Sequence, residues 1–131
     1  MAIIYQAMIP LNPRTKKNSQ QIMINHKTGK PFVMQSSKYM EYEKNAGWFL
    51  KKLPKPINEP VNVKCVFYRE TRIRCDLSNL LEAAMDILVE YGILADDNFN
   101  IITGFDGSRV YIDKENPRTE IMIETVENQE V

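Results

Sequence analysis

Apolar residues recur at Leu77, Leu80, Leu81, Ala84, Leu88 and Tyr91, the i, i+3, i+4, i+7 spacing of one helical face. Ser78, Asn79, Glu82, Asp86 and Glu90 lie off that stripe, so the segment predicts an amphipathic helix with a polar flank. Gly92 follows where a helix C-terminus favours a residue free to take positive φ. Elsewhere the period is two. Val61, Val63, Cys65 and Phe67 alternate with Asn62, Lys64, Val66 and Tyr68, which predicts a central strand from Val61 to Glu70. Ala2–Ile9 reads as a first strand that Pro10 and Pro13 end. Gln21–Asn25 and Pro31–Gln35 read as short strands around His26–Lys30, with Gly29 marking the turn. Ser36 or Ser37 can cap a helix running to about Leu53, with Tyr39, Tyr42, Ala46, Phe49 and Leu50 as its apolar stripe. Lys51 and Lys52 would then sit in its last turn, where the helix dipole favours cations. Asn98–Gly104, Ser108–Asp113 and Thr119–Val126 are strand candidates, and Asp106-Gly107 is either a hairpin turn or a bulge in one longer strand.

The order βββαβαβββ predicts an α+β fold: one domain over residues 1–131, with a mixed, mostly antiparallel sheet packed with two main helices. A chain of 131 residues buries a single core without staples. No apolar run is long enough to span a membrane, and the start MAIIYQAMIP has neither the basic region nor the apolar core of a secretory signal. The expectation is a cytoplasmic protein without a membrane partner, with Cys65 and Cys75 as reduced thiols. Their spacing does not match a CxxC zinc or redox site. His26 is the only histidine, so no His pair can be built within one chain, and it reads as an exposed turn residue. Thr28-Gly29-Lys30 is not a phosphate-binding loop, because the first glycine, the Ser/Thr after the lysine and a following helix are missing.

Charge changes this picture. Residues 1–75 hold 14 Lys/Arg and 4 Asp/Glu, a net of +10, and residues 76–131 hold 3 and 13, a net of −10. The asymmetry suggests a basic surface for a polyanion beside an acidic pocket for cations, against the bland alternative of two solvated faces. Asp76 stands at the mouth of the 77–91 helix, and Asp96 and Asp97 follow the turn after it. If the chain folds back along that helix, the carboxylates at its two ends meet as the hard oxygen ligands that Mg²⁺ requires. The alternatives are an N-cap for Asp76 and a solvated loop for Asp96-Asp97. The basic run Arg14–Gln20 reads as a phosphate-contacting arm or as a solvated loop. Arg72 and Arg74 lie close before Asp76, an arrangement suited to phosphate plus metal.

The pattern Arg74-x-Asp76-x-x-Asn79-Leu80, then Asp86, Gly92 and Asp96-Asp97, resembles the RusA family of Holliday-junction resolvases. Pro13-x-x-Lys16-Lys17-Asn18-Ser19 is a further match, and Ser37 with Tyr39 and Tyr42 a weaker one. The resemblance implies a RusA-like fold and a small Mg²⁺-dependent endonuclease (Mn²⁺ as a possible substitute), a homodimer acting on the four-way junction of branched DNA. It implies Asp76, Asp97 and Asp96 as metal ligands, with Asp76 and Asp97 catalytic. Lys16, Lys17, Asn18, Arg72 and Arg74 are the expected DNA contacts, and Ser78 and Asn79 mark the helix's polar face. Two positions depart from the family. Its pattern usually reads Asp-x-Asp-Asn, where this chain has Ser78, and a lysine often stands one turn further on, where this chain has Glu82. Ser78 and Glu82 are i, i+4 neighbours, so Glu82 is a candidate catalytic carboxylate restoring the missing charge, or a surface residue partnering an arginine. Lys16, Lys17, Arg72 or Arg74 are candidates for the missing cation.

The reaction this implies is metal-assisted hydrolysis of a phosphodiester. Two rivals stand beside it: a branched-DNA-binding protein of the same fold with a weak or inactive site, and a Mg²⁺-dependent phosphotransfer enzyme acting on a small anionic substrate.

Overall fold

The computed structural model describes residues 2–16, 20–35 and 37–127, and over 20–22 and 33–35 the backbone alone. The long alternating segment forms the middle of the sheet. Strand β1 spans Ile3–Ile9, β4 spans Val61–Arg69 and β7 spans Arg118–Thr125, and β7 pairs antiparallel with both of the others. Strands β5 (Ile102–Gly104) and β6 (Arg109–Ile112) lie end to end along the far edge of β4, both parallel to it. Parallel pairing requires a crossover, and helix α2 (Leu77–Glu90) supplies one between β4 and β5. Asp106-Gly107 is therefore a break within one strand line. Asn62 bridges it: its Nδ2 donates to the Asp106 carbonyl at 3.2 Å, and its Oδ1 accepts from the Asp106 N–H at 2.8 Å. Ser108 Oγ accepts from the Cys65 N–H at 3.0 Å, replacing a ladder bond. Gly107 takes φ +86°, which glycine adopts without strain.

Val61, Val63, Cys65 and Phe67 of β4 join Ile121 and Ile123 of β7 and Tyr5 and Ile9 of β1 in one core. Helix α1 (Ser37–Ala46) adds Tyr39, Tyr42 and Ala46, and α2 adds Leu80, Ala84 and Leu88. Both helices thus cover the same sheet face. Ile93, Leu94 and Ile101 enter the same core, so α2 also buries Ala83, Met85 and Ile87, beyond the narrow stripe its sequence spacing suggests.

The glycine stop of α2 is a paired C-cap. The Ile93 N–H reaches the Leu88 carbonyl at 2.8 Å and the Gly92 N–H reaches Val89 at 3.1 Å, with Gly92 at φ +73°. Helix α1, in contrast, ends at Ala46 rather than near Leu53, and Gly47–Phe49 form one 3₁₀ turn. A Cβ on Gly47 would lie 2.3 Å from the Tyr91 ring, and the Tyr91 hydroxyl donates to the Glu43 carbonyl at 2.9 Å. Tyr91 thus packs where only a glycine fits at position 47, and the chain leaves the helix at Leu50, which is extended (φ −96°, ψ 124°). Lys51 and Lys52 follow in irregular chain, outside any helix turn.

Strands β2 (Gln20–Ile24) and β3 (Pro31–Gln35) form a separate antiparallel hairpin. Asn25 Oδ1 accepts the N–H of Lys27 at 2.9 Å, Gly29 turns at φ +70°, and His26 is exposed. Cys65 and Cys75 are free thiols, and burial pushes the Cys65 thiol up to about 12.

Candidate active site

Helix α2 sets most of the candidate residues. Asp76 occupies its N-cap position with an extended backbone (φ −87°, ψ 140°), and its carbonyl accepts the N–H groups of Asn79 at 3.1 Å and Leu80 at 3.2 Å. Its carboxylate makes no capping hydrogen bond and is exposed, so it is not spent on the helix end. Ser78 and Glu82 are exposed, and Asn79 is half-buried.

One turn beyond Glu82, Asp86 receives the ammonium of Lys16, with Nζ 2.8 Å from Oδ2. The N-terminal arm delivers it: Asn12 Oδ1 accepts the Glu70 N–H at 2.9 Å, and Pro13 and Thr15 are buried. The hydrogen bond that Lys16 donates to Asp86 raises the Lys16 pKa against the opposing effect of burial, and the charges of Asp86, Glu43 and Glu82 add to it. Lys16 thus sits in an acidic recess made by both helices. Lys17 and Asn18 lie outside the described residues.

After Gly92 the chain runs along the 57–61 connector. The Ile57 N–H bonds to the Ile93 carbonyl at 2.8 Å and the Ala95 N–H to the Ile57 carbonyl at 2.9 Å. This presents Asp96 and Asp97 in an exposed turn. Asp96 Oδ1 accepts the Asp97 N–H at 2.7 Å, and its Oδ2 accepts from Asn98 at 3.0 Å. The backbone bond holds the Asp96 carboxyl below its usual range. Its hydrogen bond with Asp96 pushes the Asp97 carboxyl up, helped by burial and by the charges of Asp96 and Asp86. The fold-back therefore brings Asp97 into the field of Asp86, on the middle of α2.

Among the described residues no group of three His, Cys, Asp or Glu side chains gathers to hold a metal ion. Asp76, Glu82 and Asp97 are not assembled into one cage. Mg²⁺ characteristically uses one or two carboxylates and completes its shell with water and substrate phosphate. An uncapped, exposed Asp76 and an Asp97 crowded by like charges fit that mode, since a divalent cation relieves the repulsion around Asp97.

Beyond β4, the 70–75 loop carries the arginines. Arg69, Arg72 and Arg74 line a cavity of about 470 Å³, and Arg69 Nη1 donates to the Ile73 carbonyl. Arg69 and the Lys16–Asp86 pair are the residues that sequence reasoning did not assemble. The run Arg69-x-x-Arg72-x-Arg74 was a usable signal for the first, but the second had none.

A single α+β domain that sets exposed carboxylates before and after one helix, with an arginine-lined cavity beside its N-terminus, has the make-up of a protein that handles phosphate esters. The family described as Endodeoxyribonuclease RusA matches residues 10–124, which takes in both helices and most of the sheet. The chain belongs to this endodeoxyribonuclease family. No curated protein matches the chain. The helices of the structure are too short or too polar to cross a membrane, among the described residues.

Proposed function

We propose that the protein is a structure-selective endodeoxyribonuclease that resolves Holliday junctions in DNA recombination and repair, with Mg²⁺ (or Mn²⁺) at its carboxylates and as a homodimer. The observation that carries this reading is the exposed, uncapped carboxylate of Asp76, two residues from an arginine that lines the cavity. Asp76 and Asp97 would hold the metal, with Asp96 orienting Asp97 by accepting its N–H. A divalent ion bound there would supply a polarised water and charge neutralisation at the scissile phosphate. Arg72 and Arg74 hold the backbone, and Glu82 adds negative charge one turn along α2 from Ser78. A four-way junction has two-fold symmetry, so a C₂ dimer presents two equivalent sites for paired cuts.

The test is cleavage of a labelled four-way junction with Mg²⁺, against linear duplex. Asp76→Asn and Asp97→Asn should each abolish cutting while junction binding persists, and full activity in either variant removes the assignment. Glu82→Gln should lower activity severely, with Ser78→Asp restoring much of it. An indifferent Glu82→Gln makes Glu82 a surface residue. A second reading, a branched-DNA-binding protein without a competent site, draws on Ser78 and on the unassembled carboxylates. It predicts salt-sensitive junction binding and no cleavage by the wild-type protein.

A further inference from the structure

Tyr68, Tyr111 and Arg118 form a ladder across the sheet face turned away from the helices. Strand pairing sets Tyr68 beside Tyr111 on β6 and beside Arg118 on β7. The two rings stack with centroids 5.5 Å apart and planes 26° apart, and the Arg118 guanidinium lies 3.7 Å from the Tyr68 ring centroid. Arg118 is itself fixed by Asp113 at 3.0 Å and Glu120 at 3.4 Å. The stack therefore has an anchored end and an open one. Tyr111, on the edge strand and 47% exposed, is the open end.

Tyr111 also lines the arginine cavity, together with Arg69, Arg72, Arg74 and Ile73. No acidic side chain lines that cavity among the described residues. Arg69 Nε is buried and finds no acceptor among them, so one donor in the wall is unsatisfied. Ile73 projects at 69% exposure between the two outer arginines. Three guanidinium groups select an anion, and a pre-stacked aromatic ring selects a flat partner. A volume of about 470 Å³ suits one small organic group. In paired DNA the faces of each base are covered by its neighbours, so only an unpaired nucleotide offers both a free face and a phosphate. At most about 7 Å of extended chain separates Arg74 from Asp76, so a strand held in the cavity passes directly by that carboxylate.

We infer that this cavity takes one unpaired nucleotide of branched DNA, its phosphate on Arg69, Arg72 and Arg74 and its base stacked on Tyr111. The inference rests on the junction-cutting reading above and adds what distinguishes a branch point from a duplex. Ile73 then stands where it can wedge against the neighbouring base step, as exposed apolar side chains do in DNA-bending proteins.

The probe is a four-way junction carrying 5-iododeoxyuridine at the branch point, compared with one carrying it mid-arm, in metal-free buffer to prevent cutting. After irradiation and trypsin digestion, the branch-point label should be found on the peptide Val110–Lys114, which contains Tyr111, and the mid-arm label should not. Tyr111→Ala should weaken junction binding roughly 5- to 150-fold, the loss of one stacked base, with Tyr111→Phe staying near wild type. Labelling confined to other peptides, equal labelling from both positions, or equal losses on junction and duplex overturns the nucleotide site alone. Wild-type protein without junction preference overturns the parent reading with it.

Discussion

Asn62 should be the residue on which the far edge of the sheet depends. Its side chain is 6% exposed and makes both hydrogen bonds to the Asp106 backbone across the break between β5 and β6. Asn62→Ala removes both. Two bonds at about 1 kcal/mol each, plus the cost of leaving partly buried backbone groups without partners, give a loss of roughly 2–3 kcal/mol. Unfolding entropy scales with length, so for this chain each kcal/mol moves Tm by about 4 °C and the expected drop is about 8–12 °C. Thermal and urea melts read this directly. A second variant tests the geometry. A Cβ on Gly104 would lie 3.0 Å from Asn62 Oδ1, so Gly104→Ala should push on the same amide. In the Asn62→Ala background that push has nothing to meet, and the two changes should be clearly non-additive. A Tm shift under about 2 °C for Asn62→Ala, or identical costs of Gly104→Ala in both backgrounds, refutes the bridge. The functional consequence is local: β6 carries Tyr111, so a loosened bridge should also reduce crosslinking at the branch point.

Three further outcomes follow from the packing and charges. Gly47→Ala sets a methyl against the Tyr91 ring and should cost roughly 1–3 kcal/mol, with the loss largely relieved in a Gly47→Ala/Tyr91→Ala double variant relative to the sum of the single changes. Lys16 is held by Asp86, so Lys16→Ala should leave the slope of log affinity against log salt unchanged, whereas a slope reduced by about 0.9 means that Lys16 leaves Asp86 for a phosphate. For Asp97 the raised pKa means that its ionised form is disfavoured in the folded protein, a penalty absent below the unfolded pKa and fully present above the folded one. Asp97→Asn should therefore raise Tm at pH 7 without Mg²⁺, and added Mg²⁺ should raise Tm of the wild type more than that of the variant. A lower Tm for Asp97→Asn in metal-free buffer contradicts the crowding of like charges.

What the sequence determines by itself is local. Alternation from Val61 to Phe67 names the core face of β4, because successive side chains on a strand must point to opposite faces. The stripe on α2 and the glycine after it fix a helix and its C-cap, because both depend only on residues within a turn or two. The same local rules fail where a distant residue intervenes. Helix α1 ends at Ala46, where the remote Tyr91 packs on Gly47 and its hydroxyl donates to the Glu43 carbonyl. Asn62 reads as a solvent-facing strand position, yet it is buried under the Asp106 turn. Asp76 reads as a helix cap, and its backbone takes that place, but its carboxylate does not.

The site divides along the same line. The candidate carboxylates and arginines are legible as residue types and spacings around one helix, because the metal and phosphate chemistry proposed for them restricts which side chains serve. Their partners are not. Periodicity states which face a strand buries and says nothing of its neighbour, so the parallel pairing of β6 with β4, and with it the Arg118–Tyr68–Tyr111 stack, exists only once the crossover through α2 is closed. Nor does any local pattern join Lys16 to Asp86. Contacts between residues remote in sequence are set by how the core packs, and that is decided only when the whole chain is folded.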